Sequence, residues 1–329
     1  MQYREIGNTG MQASVVGIGT WQMGGWRWGG SDESEAIKAL HAAIDAGINL
    51  VDTAPIYGRG RSEEVVGKAL RGKRHQVILA TKCGMVWHVE KGRFAFEQRG
   101  LPIYKYLGPE SIRYEVEQSL KRLQTDYIDL YQTHWPDPGT PIAATMQTLL
   151  ELQREGKIRA IGVSNVSVDQ LQEYLQHGSI ASAQQLYSML DREIEADLLP
   201  FCQKNSISVL AYSPLAKGLL TGKIGPDRVF NEDDQRRDNP RFSTENRLKI
   251  AAMLKAFAPI AESHQISMAQ LAIAWTFSQP GLTHVLGGTQ KAGQAVENAA
   301  AGDVVLSDKE ISFMNQTIDK FSLNEAPRS

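Results

Sequence analysis

Eight short apolar runs, separated by stretches of helical periodicity, constrain this chain more than any other feature. They are VVGIGT, INLVDTA, QVILATK, YIDLYQTH, IRAIGVSN, IASAQQLY, ISVLAYS and THVLGGT. They are continuous rather than alternating, as expected of strands buried on both faces in a parallel sheet. Between them lie amphipathic stretches such as DESEAIKALHAAIDAG, acidic at its start and ended by Gly47, and GPESIRYEVEQSLKRL, opened by Pro109. These are the residues that start and stop helices. The pattern predicts an α/β fold, a (β/α)8 TIM barrel, with an open doubly wound sheet as the alternative. QYREIG and ASVVGIG, joined around NTG, predict an N-terminal β-hairpin ahead of it.

At 329 residues with 42% hydrophobic content the chain can bury a core of that size, and no Pro-, Gly- or Ser-rich linker divides it. Residues 1–329 are therefore expected to form one barrel domain. The alternation is interrupted at 83–108, at about 213–245 and in the C-terminal tail. The two internal interruptions follow strand C-termini, the face where barrels of this type carry their sites. They are expected to be long loops bordering a pocket.

Lys and Arg number 35 against 37 Asp and Glu, a formal net charge of -2. That balance makes no electrostatic case for nucleic acid or a membrane surface. The two cysteines, Cys83 and Cys202, show no metal-ligand spacing, and no signal-peptide pattern or long apolar run is present. The expected protein is the whole chain, soluble and cytoplasmic, without a metal.

Polar residues recur where the apolar runs end: Asp52, Lys82, His134, Ser164 and Asn165, Gln185, and Tyr212. In a closed barrel these ends form one ring, so the residues converge, with Tyr57 reaching in from the loop beyond Asp52. A tyrosine near its usual pKa of about 10 is a poor acid, but a neighbouring ammonium stabilises its phenolate. Lys82 is placed to do this, Asp52 to hold Lys82, and His134 to polarise a carbonyl. The set suits proton delivery to a carbonyl oxygen as hydride reaches carbon. Singly, each residue has a bland reading as packing, cap or rim; together at strand ends they do not. Trp21, Trp26 and Trp28 follow the first run in a glycine-rich segment, and Trp21, Trp87 and Trp135 are expected as pocket walls.

VDTAPIYG, ILATK, YIDLYQTHWPD, IGVSN, AYSPLAKGLLTGK and GGTQKAGQAVEN together resemble the aldo-keto reductase superfamily, in order and across nearly the whole chain. The flavour is that of its bacterial branch handling sugars, inositol-type polyols and general aldehydes or ketones. The resemblance implies a barrel that binds a nicotinamide cofactor, NADP (NADPH) with NAD as a second option, in extended form. It implies a catalytic tetrad of Asp52, Tyr57, Lys82 and His134, with Tyr57 as general acid or base. Ser164, Asn165 and Gln185 match positions that hold the carboxamide, and Tyr212 the ring stacked on nicotinamide; Thr20, Trp21 and Asp52 are expected as further cofactor contacts. Substrate contacts are expected from Trp21, Tyr57, Trp87, His134 and Trp135.

VGIGTWQMGG agrees with a different cofactor site, since it carries Gln22 where GxGxxG requires its third glycine. SPLAKGLL offers one: backbone amides around Ser213, Leu215 and Gly218, with Lys217 and then Lys223, suit a pyrophosphate. After the last run the order is Gly288, Thr289, Gln290, Lys291, so the basic residue expected at a 2′-phosphate is displaced by one. Gln294 and Asn298 match the adenine side. The expected function is NAD(P)H-dependent reduction of aldehydes or ketones, or oxidation of the matching alcohols, on a small-molecule substrate. Two rivals are a nicotinamide-binding regulatory subunit with the same barrel and a metal-dependent aldolase or isomerase. The latter is disfavoured because no pair of His with two carboxylates stands at the strand ends.

Overall fold

The structure is a computed structural model that describes residues 1–26, 30–232 and 234–323. Its strands are β1 (Tyr3–Glu5), β2 (Gln12–Ser14), β3 (Val16–Gly19), β4 (Leu50–Asp52), β5 (Ile78–Cys83), β6 (Met85–Val86), β7 (Arg93–Gln98), β8 (Leu101–Lys105), β9 (Ile128–Thr133), β10 (Ile158–Ser164), β11 (Ser182–Leu186), β12 (Ser208–Tyr212) and β13 (His284–Gly288). Its helices are α1 (Glu33–Asp45), α2 (Arg61–Ala69), α3 (Pro109–Leu123), α4 (Ile142–Arg154), α5 (Val168–His177), α6 (Leu198–Lys204), α7 (Thr244–Ser263), α8 (Met268–Phe277), α9 (Ala292–Ala300) and α10 (Asp308–Asp319).

Strands β3, β4, β5, β9, β10, β11, β12 and β13 pair in that order, all parallel, and β13 returns to β3 to close the barrel. Each of the eight apolar runs lies on one of them. The hairpin differs in detail from its expectation: ASVVGIG is divided at Val15, so β1 and β2 form the hairpin and β3 starts the barrel. Ile6 and Ala13 of the hairpin segment plug the barrel floor against Leu50, Ala80, Leu130, Ala160, Leu210 and Leu286. Each leucine buried there contributes on the order of 2 kcal/mol. A second apolar shell fills the space between strands and helices.

Helix starts follow local chemistry. Asp32 accepts from the Glu35 amide to begin α1, and α5, α8 and α10 open on capping boxes at Ser167, Ser267 and Ser307. The C-terminal tail carries α10, pinned to the body by Trp275 Nε1 donating to Asn315 at 2.8 Å.

The segment 83–108 is not the long loop expected where the alternation breaks off. It forms a three-stranded antiparallel sheet, β6-β8-β7. Gln98 pairs with Leu101 across a two-residue turn in which Arg99 and Gly100 have φ of 52° and 76°. Positive φ at both central residues is the turn whose twist matches a hairpin.

Candidate active site

The end of β4 and the loop after it place a carboxylate and a phenol together. Asp52 is the last residue of β4 and points into the barrel. The chain then coils tightly, with Tyr57 N donating to Ala54 O at 3.1 Å and Gly60 N to Pro55 O at 2.6 Å. Two glycines let this coil sit against the turn at 21–24. A Cβ on Gly58, whose φ is 69°, would stand 2.3 Å from Gly24 O, and one on Gly24 would stand 2.5 Å from the carbonyl carbon of Tyr57. Thr20 ties the same region down: its hydroxyl donates to Asp52 O at 3.0 Å and accepts from Ser62 Oγ at 2.7 Å.

Lys82, on β5, is wholly buried. Its Nζ donates to Asp52 Oδ1 at 2.6 Å, to Thr53 O at 3.0 Å and to Tyr57 Oη at 3.2 Å. Burial pulls the ammonium down, but the charges and hydrogen bonds of Asp52 and Tyr57 outweigh it, leaving Lys82 above the usual lysine value and charged. The same balance corrects the expectation that Lys82 brings the pKa of Tyr57 below its ordinary value. Burial pushes the phenol up, Lys82 draws it down, Asp52 pushes again, and the net direction is up. Tyr57 is therefore a neutral phenol at neutral pH, with its phenolate stabilised only in part.

His134 follows β9, its amide donating to Cys83 O at 2.9 Å. Its ring stands edge-on to Tyr57, centroids 5.8 Å apart. Burial, then the charges of Lys82 and Lys105, hold its pKa well below the usual histidine value, so the imidazole is neutral.

These side chains open into a cavity of about 1400 Å³ at the C-terminal ends of the strands. Thr20, Trp21, Ser164, Asn165, Tyr212, Ser213, Leu215, Lys217, Gly218, Lys223, Gly288, Gln294 and Asn298 all line it. Asn165, in left-handed backbone at φ 58°, donates from Nδ2 to His134 O at 2.9 Å and accepts from Tyr212 Oη at 2.8 Å. The SPLAKGLL segment is in left-handed backbone at Ser213, Ala216, Lys217 and Gly218. Its Gly218 amide is spent on Leu215 O at 2.8 Å, and Lys217 Nζ donates to Gln235 Oε1 at 2.9 Å.

Four expected contacts lie elsewhere. Gln185 faces out of the barrel and donates to Val166 O at 3.0 Å, while its neighbour Gln184 lines the cavity. Strand side chains alternate between faces, so the QQ pair put the choice one residue out. Thr289 is buried and caps the turn before α9, accepting from the Lys291 amide at 3.0 Å and donating to Gln294 Oε1 at 2.8 Å. Lys291 is exposed at the N-cap of α9, outside the cavity lining. Trp87 packs on the cluster of Ala54, Ile56, Met85 and Ile103 without reaching the cavity.

Trp135 does line the cavity, with Lys105 Nζ 4.0 Å from its ring centroid. Trp26 and Phe96 form a stacked wall, centroids 5.3 Å apart; Trp28 lies outside the described residues. Phe96 and Met85 also line the cavity and were missed as wall residues because 83–108 read as loop.

The residues present fit an extended dinucleotide. The cavity presents amide groups from Asn165 and Gln184, an aromatic ring from Tyr212, and a wall bearing Lys217, Lys223, Arg228 and Arg236. Among the described residues no group of three or more His, Cys, Asp or Glu is placed to hold a metal ion, and no helix is long and apolar enough to cross a membrane.

A model of the aldo/keto reductase family matches residues 15–319. The chain is 44% identical over 317 residues to the NADH-specific methylglyoxal reductase of Escherichia coli, covering 94% of this chain and 96% of that one. It is 43% identical over 297 residues to an aldo-keto reductase of Bacillus subtilis, with 89% and 86% covered. Among solved structures, a glycerol dehydrogenase from Gluconobacter oxydans superposes with a TM-score of 0.89 at 37% identity, over 100% of this chain and 98% of its own. An aldo/keto reductase from Klebsiella pneumoniae in complex with NADP and acetate gives 0.72 at 30% identity, over 100% and 98%.

Proposed function

The chain belongs to the aldo/keto reductase family, and from that premise we propose that it reduces small aldehydes or ketones, and oxidises the matching alcohols, with NADPH or NADH and with Tyr57 as the proton donor. The reading rests on Lys82, which is charged, buried and shared between Asp52 Oδ1 and Tyr57 Oη at the mouth of the barrel. When bound, the nicotinamide supplies hydride to the carbonyl carbon or accepts it from the alcohol. Ser164, Asn165 and Gln184 hold the carboxamide, Gln184 taking the role expected of Gln185; Tyr212 stacks on the ring.

The rest of the chemistry belongs to the chain. Neutral His134 donates a hydrogen bond to the substrate oxygen without competing with Lys82 for charge. Tyr57 gives its proton to that oxygen, and the phenolate left behind is stabilised by Lys82 at 3.2 Å. Because Tyr57 is held above its ordinary value, reduction runs at neutral pH and alcohol oxidation, which needs the phenolate, grows as pH rises. Trp21, Trp26, Phe96 and Trp135 wall the substrate and exclude water. We place the protein in the cytoplasm, where its two buried cysteines, Cys83 and Cys202, stay reduced.

The test is Tyr57→Phe, which keeps the ring and removes the acid. Carbonyl reduction, followed at the nicotinamide absorbance, is expected to fall by ~10²–10⁴-fold, with cofactor affinity nearly unchanged. Near-normal turnover in a step limited by chemistry would overturn the assignment.

A further inference from the structure

Beneath the tetrad two amides meet the far side of the aspartate. Asp52 gives Oδ1 to Lys82, and its Oδ2 accepts from Gln132 Nε2 at 3.1 Å and Gln184 Nε2 at 2.9 Å. Gln184 Nε2 also donates to Gln132 Oε1 at 3.3 Å, closing a triangle. Gln132, on β9, is fully buried and outside the cavity lining, and Gln184 is 2% exposed. A carboxylate only accepts, so the amide nitrogens must face it, which fixes the orientation of both side chains.

We propose that Gln132 is a positioning residue for the reaction: with Gln184 it holds the Asp52 carboxylate so that Lys82 is shared with Tyr57 instead of being drawn wholly to the aspartate. The proposal rests on the reading of Tyr57 as proton donor.

Three observations carry it. First, a buried amide is costly unless it is bonded, and Gln132 occupies a barrel layer whose neighbours below are leucine and alanine. A polar group there requires a task, and its bonds all lead to Asp52 or to the amide beside it. Second, the space is made for it. Gly162 sits directly beside Gln132 in the ladder, and a Cβ there would stand 2.8 Å from Gln132 Cγ and 2.5 Å from Ser182 Oγ. Without that glycine the stem of Gln132 could not lie where its amide reaches Oδ2. Third, the donors are neutral. A lysine or arginine in their place would compete with Lys82 for the carboxylate and add a positive charge close to the tetrad.

The physical effect runs through three atoms. Each N–H on Oδ2 withdraws negative charge from the carboxylate, so Oδ1 attracts the ammonium less strongly. Lys82 then keeps more of its field for the phenolate that forms when Tyr57 gives up its proton. Loss of the Gln132 donor tightens the Asp52–Lys82 pair and strengthens the field of Asp52 at Tyr57, and both changes hold the phenolic proton.

The experiment uses the full chain with two variants, Gln132→Met and Gln132→Glu, measuring cofactor affinity by tryptophan fluorescence and the pH dependence of alcohol oxidation and carbonyl reduction. For Gln132→Met the kinetic pKa of alcohol oxidation is expected to move up by about 0.5–1 unit, with cofactor affinity unchanged because the residue does not line the cavity. For Gln132→Glu a protonated acid donates as the amide does, so low-pH rates should match the parent. At higher pH the second carboxylate repels Asp52 and activity should collapse. A uniform fall in rate with no displacement of either profile, in variants that fold, overturns the proposal and leaves Gln132 as packing. If Gln132→Met does not fold, Gln132→Glu decides alone: a parental profile at every pH overturns it. Tyr57→Phe run alongside separates the two levels. If it remains active, the function reading fails; if it is inactive and both Gln132 profiles stay in place, only the present inference fails.

Discussion

The Lys82 ammonium stands 3.2 Å from the Tyr57 hydroxyl and is held there by a 2.6 Å bond to Asp52 on its other side. One cation thus serves two oxygens of different need, the carboxylate of Asp52 and a phenol that is charged only after giving up its proton.

Replacing Lys82 by Met is therefore expected to act twice. Reduction should fall by ~10²–10⁴-fold at neutral pH, and stability should drop by about 3–5 kcal/mol because Asp52 is left as an unpaired buried carboxylate. The double variant Asp52→Asn, Lys82→Met should regain most of the stability and none of the rate. A double-mutant cycle combining thermal denaturation with steady-state kinetics checks this. Recovery of activity together with stability would contradict the role given to Lys82.

Two buried groups outside the tetrad make stability depend on pH with opposite signs. Burial raises the Glu115 carboxyl to about 8 against bonds from the Gly84 amide and Ser111. Between roughly 4.5 and 8 the folded chain keeps a proton that the unfolded chain has lost, so this contribution is present in acid and disappears as pH rises. Burial lowers His284 to about 4. There the unfolded chain binds the extra proton between roughly 6.5 and 4, and stability falls as pH falls. Glu115→Gln should gain in melting temperature relative to the parent from pH 5 to pH 9, and His284→Gln should gain from pH 7 to pH 4. Each difference is worth up to on the order of 3 kcal/mol at its extreme. Melting curves of the three proteins across pH give the answer, and parallel curves would refute the assigned directions.

Lys291 is an exposed point charge at the start of α9, while Glu297 lines the cavity and pairs with Lys223 at 3.7 Å. Discrimination between the two cofactors is expected to be real and small. Because Lys291 stands outside the cavity lining, Lys291→Ala is expected to leave the affinities for NADP and NAD within about twofold of the parent. Titration of both cofactors by tryptophan fluorescence tests it; a selective loss of NADP affinity would show that Lys291 reaches the cofactor.

The barrel was legible because its strands are apolar on both faces, and the polar residues that end them stand out against that background. Asp52, Lys82 and His134 announce themselves in this way. Gln132 and Gln184 do not, since an amide inside a strand carries no periodic signal, and in the QQ pair only the register of β11 decides which one turns inward. The sheet at 83–108 was written in RFAFEQRGLPIYK, whose two-residue RG turn is a hairpin signal, but its charged residues mask the strand pattern. The direction of the Tyr57 shift was beyond the sequence altogether. It depends on how far burial outweighs one ammonium, which only packing determines.

Closure of the barrel sets the order in which this protein can come into being. β13 hydrogen-bonds to β3, joining Gly288 to Gly19, and Gln2 N donates to Gly302 O at 3.0 Å. The first strand of the barrel thus waits for the last, at the far end of the chain. Contacts so distant in sequence make for slow, late assembly. On the ribosome, a chain that has not yet reached residue 284 holds every member of the tetrad but has an open seam beside Gly19. Catalytic competence must then arrive in a single late event, when the carboxyl-terminal segment emerges and seals that seam.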